Sequence, residues 1–190
     1  TVAFVTTYRT ELLAQSLLFV LSAGAYLWFF GSLRAFLRRG EGQAGTLSDI
    51  AYAAGAVWTG LQMVFQSVQV TLAMATGRSM EPAIAAMFSN LAYALSVVAY
   101  VPLAAMLGAV AAVSLRSRVL PAWIGWLSLV MAAAHLAMSA GIVVDTGPLV
   151  PGGALTYLLY LSMPIWLVAV TTAMVVRPRK PRSVASPQRV

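Results

Sequence analysis

Three residues are of the right types for proton transfer: His135, the one histidine of the chain, and the carboxylates Glu81 and Asp145. An imidazole that titrates near neutrality, set beside carboxyl groups that hold protons more tightly once desolvated, makes a general acid/base set. Glu81 precedes Pro82 at the expected start of a helix. Asp145 follows His135 by ten residues, about 15 Å along a straight helix, so those two meet only where the chain folds back. No H-E-x-x-H, G-x-S-x-G or Walker glycine loop occurs, and with no cysteine and a single histidine the chain predicts neither a metal centre nor any other cofactor.

A second set of residues has the chemistry of recognition. In the stretch "QMVFQSVQV", Gln62, Gln66 and Gln69 fall within about 60° of arc on a helix, with Trp58 on the same side. A side-chain amide facing lipid leaves its hydrogen-bonding positions unmet at a cost of about 2–7 kcal/mol, so the stripe must face other helices or water. The same projection groups Glu11, Gln15, Ser22 and Tyr26 on the first apolar segment and Asn90, Tyr93 and Tyr100 on the third. It groups Ser128, Met131, His135, Met138 and Ser139 on the fourth, and Tyr157, Tyr160 and Pro164 on the fifth. Counted at about 1.5 Å per residue from the outer ends, Gln66, Asn90, His135 and Tyr160 share one level roughly 10–13 Å deep.

The elements that carry these residues follow from composition. With 190 residues, 61% hydrophobic and only 9% charged, and a mean hydropathy of +0.85, the chain lies outside the range of soluble domains. Stretches 11–33, 51–75, 83–113, 120–143 and 152–176 are each long enough to cross a hydrocarbon core of about 30 Å. The predicted fold is an all-α membrane protein, a bundle of five transmembrane helices over residues 1–176 with a basic tail at 177–190. Thr46 and Asp49 have capping-box spacing at the start of the second helix, Gly77 is placed to end it, and Pro102 to kink the third. Pro121 suits the first turn of the fourth helix, and Pro164 frees a carbonyl within the fifth. Small residues at Ala51/Gly55 and Ala104/Gly108/Ala112 favour close helix approach.

The net charge of +7 would suggest nucleic acid in a soluble protein, but its placement argues otherwise. Arg34, Arg38, Arg39, Arg116, Arg118, Arg177, Arg179, Lys180, Arg182 and Arg189 fall on one face, against Arg9 and Arg78 on the other. The positive-inside rule then puts the N-terminus outside and the C-terminus in the cytoplasm. Membrane lipids, not nucleic acid, are the expected surroundings.

Two segments carry a resemblance. "LRAFLRRGEGQAGTLSDIAYAAG" and "RSRVLPAWIGWLSLV" resemble small integral membrane proteins of actinobacteria of unknown function, with an Arg-rich end to the first helix, a Gly-rich turn and a Leu-Pro-x-Trp start to the fourth. The resemblance implies a bacterial plasma-membrane bundle and transfers no activity.

Together these features predict an outward-facing polar and aromatic pocket for a small, largely apolar molecule. Its expected lining is Glu11, Gln15, Trp58, Gln62, Gln66, Gln69, Asn90, Tyr93, Tyr157 and Tyr160. Two other readings are open: a cyclase, isomerase or hydrolase acting on a lipid-like substrate through His135 with Glu81 or Asp145, and an accessory subunit, or homo-oligomer, whose polar stripe mates with partner helices. Any single polar residue here is also explained by hydrogen bonding between neighbouring helices, worth about 0.6–2 kcal/mol each.

Overall fold

A computed structural model describes residues 2–42, 45–76, 81–144, 147 and 153–176. Gly77, Arg78, Asp145 and the basic tail lie outside the described residues. Among the described residues all regular structure is helical: α1 (Val2–Thr7), α2 (Arg9–Glu41), α3 (Thr46–Thr76), α4 (Pro82–Ser117), α5 (Ala122–Met138), which tightens into a 3-10 turn over Ser139–Ile142, and α6 (Ala154–Val176). Four helices are long and apolar enough to cross a membrane: α2, α4, α5 with its 3-10 extension, and α6. The chain is therefore a multi-pass membrane protein by the length and composition of its helices. α3 is 31 residues long, but its three glutamines dilute its apolar stretch, and it falls short of the hydropathy of the other four.

Helix boundaries depart from the sequence reading where charges and glycines act differently from their usual roles. The first long helix does not stop at its arginines: it runs on through Gly40 to Glu41 and ends at Gly42, which takes φ +80°. Gly40 stays helical because α2 crosses the end of α4 there; a Cβ on it would stand 2.5 Å from Ser117 Oγ. Pro102 lies inside α4, which continues as one helix of 36 residues, about 54 Å long, so its surplus length extends beyond a bilayer. Pro121 caps α5 from just outside its first turn, and Pro82 occupies the first turn of α4 behind the cap Glu81. Of the small residues expected to bring helices together, Gly55 does so: a Cβ there would stand 2.8 Å from the Phe30 ring. Gly108 has no neighbour within 4 Å of where its Cβ would be.

α2 and α3 form an antiparallel pair whose charges complement both ends of α3. At its start, the amides of Leu47 and Ser48 donate to the Glu41 carboxylate at 2.7 and 2.8 Å, and the Ser48 hydroxyl donates at 2.6 Å. At its end, Arg9 Nε donates to the Ala73 carbonyl at 3.0 Å. A carboxylate at the N-terminus and a guanidinium at the C-terminus each oppose the helix dipole and satisfy groups a helix leaves open. Arg9 is thus a helix cap. Between these ends Arg34 pairs with Asp49 at 2.7 Å, and Ser16 Oγ donates to Gln66 Oε1 at 2.9 Å.

The dense core fills the half of the bundle nearest the arginine-bearing ends of α2 and α4. Phe30, Leu33 and Leu37 meet Met106, Leu107 and Val110, with Ile124, Met131, Trp166 and Val170 completing it. α4 sits among α2, α3 and α5, which is why it is buried on nearly every side and shows no amphipathic stripe. α6 approaches α5 closely but stands off from α2, α3 and α4, and large side chains, Trp166 and Met163 among them, bridge the gap.

The Glu41 cap gives a pH-dependent expectation. Loss of water is the largest single influence and pushes its carboxyl up, but the Ser48 hydroxyl and the Leu47 and Ser48 amides together outweigh it and hold the group below the usual carboxylate range. A depressed folded pKa means the contribution is complete above the unfolded value of about 4.3 and is lost as pH falls through the folded one. Glu41→Ala should lower the stability of the detergent-solubilised chain by about 1 kcal/mol at pH 7, and the difference from the unaltered chain should shrink below about pH 4. Thermal melts across that pH range measure it.

Candidate functional site

A cavity of about 120 Å³ opens where all five long helices meet. α2 contributes Phe19 and Tyr26, α3 Trp58 and Gln62, α4 Ser96 and Tyr100, α5 His135, and α6 Thr156, Tyr160 and Pro164, with Ala99, Leu103, Leu159 and Met163 between them. It exists because α6 stands off from α3 and α4, and its floor is the dense core described above. Trp58 meets Tyr26 edge-on at 5.4 Å, which builds an aromatic wall from α2 and α3. Opposite that wall, the rings of Tyr100 and His135 lie 5.8 Å apart.

The hydrogen-bonding state of each polar group separates lining from glue. Gln66 is buried and joined to Ser16, so it stitches α2 to α3 and does not line the cavity. Trp166 Nε1 donates to Ser128 Oγ at 2.7 Å, which joins α6 to α5. The Tyr93 hydroxyl donates to the Gly141 carbonyl at 2.9 Å and so caps the 3-10 turn. These groups are satisfied within the protein. Around the cavity the pattern reverses. His135 is buried, and its Nδ1 lies 2.7 Å from the Met131 carbonyl; a carbonyl only accepts, so Nδ1 carries the proton and Nε2 of the neutral ring is a free acceptor. Gln62, Tyr26 and Tyr160 make no side-chain hydrogen bond to the described residues. The Tyr100 hydroxyl is buried with no hydrogen bond, and the Thr156 side chain lies beside it outside good geometry. Pro164 cannot donate to the carbonyl four residues back, that of Tyr160, so the helix leaves an acceptor next to the cavity as well.

The remaining sequence candidates fall elsewhere. Gln69, Tyr93 and Tyr157 line a second groove of about 390 Å³ that shares Ser96, Thr156 and Tyr160 with the cavity. Glu11 and Gln15 lie on a shallow, open face of α2. Asn90 is exposed: Tyr93 already reaches the 3-10 turn after α5 at Gly141, and Asn90 lies about one turn beyond it on α4. Glu81 is exposed and serves as the cap position of α4, away from the cavity. Asp145 is outside the described residues, and among the described residues no carboxylate lines the cavity and no cluster of His, Asp and Glu could hold a metal ion. Of the four residues expected at one level, His135 and Tyr160 meet across the cavity, Gln66 turns toward α2, and Asn90 turns outward. Tyr26, Ser96, Tyr100 and Thr156 are polar lining residues absent from the expected set; Tyr26 and Tyr100 lie on the polar stripes of their helices, and only packing singles them out.

Comparison with protein-family models, with curated proteins and with solved structures finds no match to this chain. Chemistry at the cavity therefore has to be argued from its own groups: the free acceptors of His135 and the Tyr160 carbonyl, the Gln62 amide and three phenol hydroxyls able to donate or accept, and aromatic walls.

The contrast between Gln66 and Gln62 can be measured. Gln66→Leu should lower stability in detergent by about 1 kcal/mol, because it breaks a bond between helices and leaves Ser16 unpaired. Gln62→Leu, one helical turn away on the same stripe, should leave stability unchanged or slightly raised, since no protein partner is lost. Thermal midpoints of the two variants decide this.

Proposed function

We propose that this chain is a five-span membrane protein, N-terminus outside, whose central cavity binds a small molecule with a ring-sized apolar body and a hydroxyl or similar donor. α3 is counted as the fifth span because it is as long as the others and is packed between α2 and α4. The orientation rests on Arg34, Arg38, Arg39, Arg116 and Arg118 at one end of the bundle against Arg9 at the other.

One observation carries the binding reading: among the described residues the buried side-chain polar atom left without a partner, the Tyr100 hydroxyl, lines a cavity shared by five helices together with the free nitrogen of His135, while the buried Ser16, Thr59, Gln66, Ser114 and Ser128 away from it are bonded to the protein. A buried, unpaired group is costly, and a ligand that supplies the missing partner recovers that cost. Size limits the ligand. An engineered cavity of about 150 Å³ accepts benzene, so about 120 Å³ limits the enclosed part of a ligand to about one ring. Free acceptors at His135 Nε2 and the Tyr160 carbonyl favour a donor on that ring, and Gln62 can bond it in either sense.

Phenol and toluene are matched probes, alike in shape but differing in the donor. At ten times its Kd a ligand stabilises the folded state by about 1.4 kcal/mol, or about 3–5 °C in a chain of this size. Phenol should produce such a rise in thermal midpoint, and toluene a smaller one. The double variant Gln62→Leu/His135→Phe should remove phenol's advantage. If phenol causes no rise at any soluble concentration, the cavity is not a binding site. Orientation is tested separately, since the chain has no native cysteine: Glu81→Cys should react with an impermeant maleimide on intact cells, and Arg118→Cys only after permeabilisation.

A further inference from the structure

The cavity does not end at its polar lining. The groove formed by Phe65 and Gln69 of α3, Ser89, Ala92 and Tyr93 of α4, and Tyr157 of α6 meets it through the shared residues Ser96, Thr156 and Tyr160. On every helix that contributes, the groove residues lie toward the end opposite the arginines. On α4 they run from Ser96 back to Ser89, seven residues or about 10 Å of helix. His135, a residue 97% removed from solvent, lines the cavity and not the groove, so its free acceptor stands on the inner side of the three shared residues. The outer part is walled by the rings of Phe65, Tyr93 and Tyr157; Tyr93 is already bonded to the Gly141 carbonyl, and the unbonded Gln69 and Tyr157 are half-buried and exposed respectively, so their polar groups are less deeply withdrawn than His135.

A ring-sized ligand would leave the groove unused. We propose that the ligand is an elongated amphiphile that binds polar end first, its oxygen-bearing ring beside His135 and Gln62 and an apolar chain of about 10 Å lying against Phe65, Ala92 and Tyr157. This rests on the cavity being a binding site, and it adds the class of molecule: a lipid-soluble phenol or alcohol with a chain, rather than a compact solute. The polarity of the space sets the direction. Reversing the ligand would bury a chain against unpaired acceptors and put the hydroxyl among aromatic walls.

The test compares phenol, 4-ethylphenol and 4-octylphenol on the full chain in detergent, in unaltered form and as Ser89→Trp, which fills the groove without touching the cavity lining. Longer chains partition into detergent equally with either protein, so the comparison between proteins cancels that effect. Affinity should rise at least about tenfold from ethyl to octyl in the unaltered chain. In Ser89→Trp that gain should fall below about twofold, with phenol binding unchanged. An equal gain in both proteins overturns the elongated ligand while leaving the cavity reading intact, because phenol still binds. Absence of phenol binding removes both. A second measurement on the unaltered chain guards against misfolding of the variant: a chain-diazirine analogue of 4-octylphenol should label peptides containing Phe65, Ala92 or Tyr157. Label spread over the lipid-facing side of α2 at Leu17, Leu18 and Leu21, undiminished by excess 4-octylphenol, would overturn the proposal.

Discussion

Everything in this bundle depends on one rule of the hydrocarbon environment: a polar group that water cannot reach must find its partner in the protein or in something the protein binds. In water an unpaired glutamine costs little, because solvent completes it. Within a bilayer it selects the packing of its helix. Gln66 and Ser16 show the usual solution, and Trp166 with Ser128 shows it again on the far side of the bundle. Against that background the free groups at the cavity are informative, because the same sequence demonstrates how readily it bonds such groups when no space is kept for them.

The scaffold that holds this space is asymmetric. α2 and α3 are joined at both ends by charges that oppose the α3 dipole and in the middle by a hydrogen bond, and Gly55 lets Phe30 seat directly on the α3 backbone. α4 locks against that pair and against α5. α6 has only α5 as a close neighbour, so the side chains between it and the others decide whether a gap is filled. Near the arginine-bearing end Trp166 and Val170 fill it. Pro164, Tyr160 and Thr156, over about three turns before Trp166, do not.

The sequence allowed the helices to be read with fair accuracy, since apolar runs of more than twenty residues have few alternatives, and the stripe Ser128, Met131, His135, Met138 does turn inward on α5. Boundaries were less legible. A glycine after an arginine cluster usually ends a helix, but Gly40 is required as a small residue against Ser117, a contact between positions far apart in the chain. Depth along a helix could be counted from residue number, which brought His135 and Tyr160 to one level. Direction could not, because Gln66 and Gln62 differ by about 40° on one helix and that difference places one against α2 and the other in the cavity. Asn90 escaped for a further reason: it lies about one turn beyond the contact of Tyr93 with Gly141, and no periodicity records where a neighbour stops.

An empty space of this size is not neutral. Cavities left in packed interiors cost about 24 cal/mol per Å³, so 120 Å³ corresponds to at most about 3 kcal/mol, the upper figure applying to a closed and dry void. Larger side chains at Ala99 or Thr156 would remove that cost by lining the gap with carbon, and the aliphatic core a few turns away shows that the chain packs in this manner where nothing opposes it. Here the lining instead combines small residues with an imidazole, an amide and phenols, each more demanding of a partner than the alanine or leucine that would close the space. Small residues alone would indicate loose packing, and polar residues alone would indicate stitching between helices. Their coincidence at one void is what favours the proposed ligand site over packing alone.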